Sequence, residues 1–141
     1  MAAQTQDVVR VAYSTPESAP NELHIQLDNT TIYQGSVAIA VAGVARPGAS
    51  GVAGSTLLGV ALQRYEAPNA GTNKTYTTDT PMVFKRGVFF FANSVADPCD
   101  ETSIGKAVYL ADNQTFKKTL AANDVSGILR FIQDGQLAVE I

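Results

Sequence analysis

Apolar residues in this chain come in short bursts, each introduced by a turn residue and each ending quickly. Gly59-Val60-Ala61-Leu62, Gly87-Val88-Phe89-Phe90-Phe91 and Gly105 to Leu110 follow this grammar, as do Gly127 to Ile132 and Gly135 to Ile141. Leu23, Ile25 and Leu27 alternate with His24 and Gln26, the period-two pattern of a half-buried strand. Ile32 to Val44 reads as one long apolar strand, with Gly35 and Gly43 as bulges or bends. Leu57 to Tyr65 is the next strand, after a flexible loop from Arg46 to Ser55. Met82 to Phe91 is a further strand, or alternatively a hairpin that turns near Lys85-Arg86-Gly87. Asp112-Asn113-Gln114 and Asp134-Gly135 each sit between two apolar runs, and both predict hairpins.

No stretch sustains a helical period; Thr119 to Val125 has room for a single turn. Closely spaced strands with turns between them predict an all-β fold, a small barrel or sandwich of short antiparallel strands. Residues 22–141 form one β-domain in this reading. Residues 1–21 stand apart as an N-terminal arm or edge strand. Val8, Val9, Val11 and Tyr13 supply a strand there, and a linker with Pro16 and Pro20 follows. Two readings of it stand side by side: an arm ordered by a partner, or an edge strand of the same domain. Ala67 to Thr80 is a polar loop, with a short strand expected at Tyr76–Thr78.

Three consecutive Phe residues, Phe89 to Phe91, put rings on both faces of one strand. One face belongs to the core, and the other must meet a second layer or another subunit. Phe84, Phe89, Phe90 and Phe91 are therefore candidates for the core and a subunit contact. Val8, Val9, Val11 and Tyr13 are candidates for contact with a neighbouring protein.

Composition sharpens this. The 141 residues suit one domain, large enough to bury a core without disulfides or metals. Charged residues are 16% of the chain, against about a quarter in ordinary soluble proteins. A surface so poor in charge expects neighbours. The net charge is −3, and the densest positive spots are Lys85-Arg86 and Lys117-Lys118. Nucleic-acid binding needs a basic stripe, which is missing, so no nucleic-acid partner is expected. The longest apolar stretch, Val37 to Ala45, is too short to span a bilayer, so no membrane partner is expected either. The first residues lack the basic and apolar regions of a signal peptide, which places synthesis in a cytoplasm. The sequons at Asn29, Asn73 and Asn113 then read as chance.

Candidate chemistry is thin. Gly48, Gly51 and Gly54 lack the Gly-Lys-Ser/Thr ending and the helix that a phosphate cradle needs. Gly105-Lys106 has Asp100 and Ala107 where a phosphate loop has Gly and Ser/Thr. His24 and Cys99 are the single histidine and cysteine, too few for a zinc site. A Cys–His dyad would need them adjacent in space with a third orienting group. Asp97, Asp100 and Glu101 match no defined calcium loop. A carboxylate pair of the glycosidase kind stays open, although acids are scattered and no Trp offers a sugar platform. The expectation is no catalytic residue, no metal and no cofactor.

The order of the strand units resembles the small phage capsid cement, or decoration, proteins. The Gly59-Val60-Ala61 strand, the Gly87-Val88-Phe89 strand and the Gly105–Lys118 hairpin with its Val-Tyr pair follow that family's sequence of elements. Gly127 to Ile141, with its Asp-Gly turn and alternating end, closes it as the family does. The resemblance runs from Tyr33 to Ile141 and leaves out the stretch before Tyr33 and the Ala67–Thr80 insertion. It implies a non-enzymatic, β-rich protein that sits on the outside of a mature head. Its partners would be the major capsid protein and further copies of itself, as a dimer or trimer. Two alternatives remain: a tail or head-completion protein, and a carbohydrate-binding β-domain.

Overall fold

The computed structural model describes residues 3–8, 21–23, 26–27, 30–66, 74–75 and 82–141. They hold fourteen β-strands and one short 3-10 turn at Glu101–Ser103, so the fold is all-β. The strands are β1 (Asn21–Leu23), β2 (Gln26–Leu27), β3 (Thr31–Ile32), β4 (Val37–Val41), β5 (Val44–Pro47), β6 (Ser55–Ala61) and β7 (Tyr65–Glu66). They continue with β8 (Lys74–Thr75), β9 (Met82–Lys85), β10 (Val88–Asn93), β11 (Ala107–Leu110), β12 (Thr115–Lys117), β13 (Ser126–Gln133) and β14 (Gln136–Glu140).

Two bodies of sheet result. Strands β10, β12, β11, β13 and β14 close into a barrel. The other body is a seven-stranded sheet in the order β1-β9-β6-β4-β5-β2-β8, and β3 pairs with β7 beside it. Strand alternation assigns the cores. On β4, Val37 and Ile39 join the cluster of Phe89, Phe91, Leu110, Phe116, Leu129 and Val139 from the barrel. Ala38, between them, faces a second cluster with Leu27, Ile32, Tyr65, Met82 and Phe84. The sheet is thus buried on both faces, one of them against the barrel. Tyr65 reaches the second cluster without an orphaned hydroxyl, because its oxygen accepts the Val83 N–H at 2.5 Å.

Both Asp-centred hairpins form. Asp134-Gly135 turns β13 into β14, and residues 111–114 turn β11 into β12. Four expectations need correction. Leu57 to Tyr65 is not one strand: β6 ends at Ala61, and β7 pairs with β3 instead. Ile32 to Val44 is not one strand: it divides into β3, β4 and the start of β5, and Ala42-Gly43 is the turn of a β4–β5 hairpin. Met82 to Phe91 is not a hairpin. Met82 and Phe84 face the second cluster while Phe89 and Phe91 face the first, so β9 pairs with β6 and β10 pairs with β14. Pairing is not wholly antiparallel either: β2–β5 and β10–β12 are parallel, and the second of these closes the barrel. Of the expected loop from Arg46, the first two residues extend β5. Tyr76–Thr78 lies outside the described residues, and a strand forms just before it at Lys74–Thr75.

Residues 3–8 lie against the domain without joining a strand ladder. Gln4 donates its N–H to Asn113 Oδ1 at 2.7 Å, and Asn113 Nδ2 returns a bond to the Gln4 carbonyl at 3.2 Å. Asn113 also accepts the Val37 N–H on its own carbonyl, at 2.8 Å. One buried asparagine thereby ties the barrel hairpin, the sheet and the N-terminal segment together.

Candidate functional site

Three loops are tied to one another beside the barrel: residues 48–54, 94–100 and 118–125. Backbone bonds draw the second and third together, Ser94 N–H to the Phe116 carbonyl (3.0 Å) and Lys118 N–H to the Asp97 carbonyl (3.1 Å). The Asp97 carboxylate then accepts the Thr119 N–H at 2.8 Å and its hydroxyl at 3.1 Å. Asn93 braces the base of its loop, exchanging side-chain bonds with the Cys99 N–H (2.8 Å) and carbonyl (2.9 Å).

Asp124 fastens the first loop to the third. Its side chain is fully buried and meets Lys117 Nζ at 2.9 Å. It also accepts the Ser50 hydroxyl (2.7 Å), the Gly51 N–H (2.7 Å) and the Ala121 N–H (2.9 Å). Burial alone would raise its pKa. The bonds from Lys117, Ser50, Ala121 and Gly51 outweigh that and hold the carboxyl below the usual carboxylate range. A depressed folded pKa contributes stability above the unfolded value, about 3.9, and loses it as pH falls through the folded value. Asp124→Asn is therefore expected to cost about 2–3 kcal/mol at pH 7. Urea unfolding at pH 7 and pH 3 checks this, and the gap between wild type and variant narrows at the lower pH.

Ser50, Lys117 and Asp124 form one bonded group. Lys117 Nζ lies 3.0 Å from Ser50 Oγ and 2.9 Å from the Asp124 carboxylate. The Gly51 N–H is likewise bonded to Asp124. Cys99 is buried; desolvation, with Asp97 and Asp100 adding to it, pushes its thiol up to about 11. A thiol so disposed stays protonated near neutrality and is a poor nucleophile. His24, the other half of the dyad considered above, lies outside the described residues. Asp100 caps the 3-10 turn through the Thr102 hydroxyl and N–H, and Lys118 sits 3.5 Å away. Among the described residues no group of three or more His, Cys, Asp or Glu side chains could hold a metal ion.

The acids and bases of these loops are thus bonded within them, while two large apolar side chains face outward. Val95 is 75% exposed and Leu120 59% exposed, the most open of the large apolar side chains described. Val95 is two residues from Asp97, and Leu120 follows Thr119, so the Asp97–Thr119 bonds tie their two segments together. Sequence reading missed this pair. Each sits alone in a polar segment, and neither belongs to an apolar run.

The aromatic candidates divide. Phe84, Phe89 and Phe91 are fully buried within the chain, which leaves their rings no surface for a partner. Phe90 points the other way, to the outer wall of the barrel. There it is half-buried, edge-on to Phe131 with centroids 5.6 Å apart, and the two rings flank Ala138 on the strand between. Val8 is exposed at 38%, while Val9, Val11 and Tyr13 lie outside the described residues. The sequon at Asn113 is closed, since its side chain is buried and bonded to Gln4.

Among the described residues no helix is long and apolar enough to cross a membrane. No protein-family model matches this chain, and neither the curated proteins nor the solved structures compared with it yield a match.

Proposed function

We propose that this protein is a phage capsid decoration protein, which binds the outside of the mature head and strengthens it without catalysing a reaction. The observation that carries the reading is a pair of exposed apolar side chains on joined loops. Val95 and Leu120 stand outward from segments that the Asp97–Thr119 bonds tie together. Exposed apolar side chains so placed suit contact with another protein surface. The order of strand units from Gly59 to Ile141 supports the same reading through its resemblance to the cement family.

The energetics suit the role. At ~25 cal/mol per Å² of apolar area, ~400 Å² buried per copy contributes ~10 kcal/mol before association costs. Many copies on a symmetric shell add avidity to that. The major capsid protein is the partner of the exposed Val95 and Leu120 side chains, and further copies of the chain are its neighbours. The site of action is the virion surface.

A double variant, Val95→Asp with Leu120→Asp, tests the assignment. Both side chains are exposed, so thermal stability should stay within about 0.5 kcal/mol of wild type. Binding to matching heads, read by quantitative sedimentation, should weaken at least ~10-fold, the loss of about 1.4 kcal/mol per site or more. Unchanged binding would move the contact elsewhere on the molecule.

A further inference from the structure

The N-terminal segment occupies a seat formed in advance by the rest of the domain. We infer that residues 3–8 are an exchangeable strap, and that the same seat accepts residues 3–8 of a second copy of this chain. The inference concerns self-association and stands whether or not the further partner is a shell.

The seat has three parts. Asn113 is 4% exposed, and its carboxamide grips the Gln4 backbone from both sides. Gln34 forms the second part: its carbonyl accepts the Val8 N–H and Gln4 Nε2, both at 2.8 Å, and its N–H donates to Asp7 Oδ1 at 2.9 Å. Gly35 forms the third. It has φ +83°, and a Cβ there would lie 2.2 Å from the Val8 carbonyl oxygen. The strap's backbone runs where any other residue would carry a side chain.

These contacts recognise an extended backbone and one glutamine, the mode in which proteins bind peptide segments. Gln4 is the buried residue of the strap, while Ala3, Thr5, Gln6, Asp7 and Val8 are exposed. Asp7 adds an exposed ion pair with Arg64 at 3.8 Å, worth little in water. A terminal segment outside every strand ladder and with little apolar burial opens without unfolding the cores. Twelve residues, 9–20, join the strap to β1. Fully extended they span up to ~40 Å, far enough to reach a neighbour. In trans the strap makes the contacts it makes in cis. Exchange therefore needs no new interface, and local concentration decides between the two forms.

Complementary variants test this. One chain lacks residues 1–8 and so offers an empty seat. The other keeps its strap but carries Gly35→Val, or Asn113→Ala should the first fail to fold. Native mass spectrometry of an equimolar mixture at tens of micromolar is expected to show a one-to-one heterodimer. Adding Gln4→Pro to the strap-bearing chain removes the N–H that Asn113 accepts, and the heterodimer should fall at least tenfold. If neither seat variant folds, the wild-type chain mixed with the shortened chain gives the same readout. A mixture that stays monomeric up to about millimolar concentration would overturn the proposal, as would a heterodimer indifferent to Gln4→Pro.

Discussion

Phe91→Ala should unfold this protein far more readily than Phe90→Ala, though the residues are neighbours on one strand. Phe91 is buried at the centre of the barrel core, with Phe116 at 5.0 Å and Phe89 at 6.3 Å between ring centroids. Removing its ring leaves a cavity that stiff strands cannot close, at a cost of about 3–5 kcal/mol. For a chain of this size that lowers the melting temperature by roughly 10–15 °C. Phe90 is half-buried on the outer wall, and its loss removes one edge-to-face contact and part of a ring's burial, about 1–2 kcal/mol. Urea titrations of the two variants measure the contrast. Similar losses for both would contradict the assignment of strand faces.

Gly59→Ala should be nearly as damaging, although it adds a single methyl group. Gly59 has φ +133°, where a side chain is strained whatever the space. Its added Cβ would also stand 2.7 Å from the Lys85 carbonyl oxygen and 3.0 Å from the carbonyl carbon. These are backbone atoms, so no rotamer relieves the clash. The position lies beside the bulge where the β4–β6 register shifts, which lets Leu57 and Val60, three positions apart, face one core while Leu58 and Ala61 face the other. A loss of about 2–4 kcal/mol is expected. Fast hydrogen exchange at β6 and β9, with barrel amides still protected, would place the damage at this seam. A variant as stable as wild type would mean that the close approach can relax.

The strands were legible in the sequence because their signal is local. Asp134-Gly135 between two alternating runs specifies its own hairpin, and the turn after Leu110 does nearly the same. Partner choice was not legible. Met82 to Phe91 reads as a hairpin because Lys85-Arg86-Gly87 has turn-like chemistry, yet nothing local says that its halves serve different cores. Ala42-Gly43 shows the converse, a hairpin hidden inside an unbroken apolar run. Its turn begins with a left-handed alanine at φ +51°, which propensity does not anticipate.

The exposed apolar pair and the strap were hidden for the same reason. Val95 and Leu120 are 25 positions apart in polar loops, and their segments are joined because Asp97 binds Thr119. Gln4 and Asn113 are 109 positions apart. Long-range pairing of isolated residues leaves no periodic trace in a single sequence. Phe90 was the exception, since three consecutive aromatic residues on a strand force one ring outward.

Sedimentation of the purified wild-type protein with mature heads of a matching phage tests the central claim most directly. The account predicts co-pelleting that saturates at a fixed number of copies per head, with no binding to unrelated particles of equal size. Protein that stays in the supernatant with shells at every stage of maturation would contradict it.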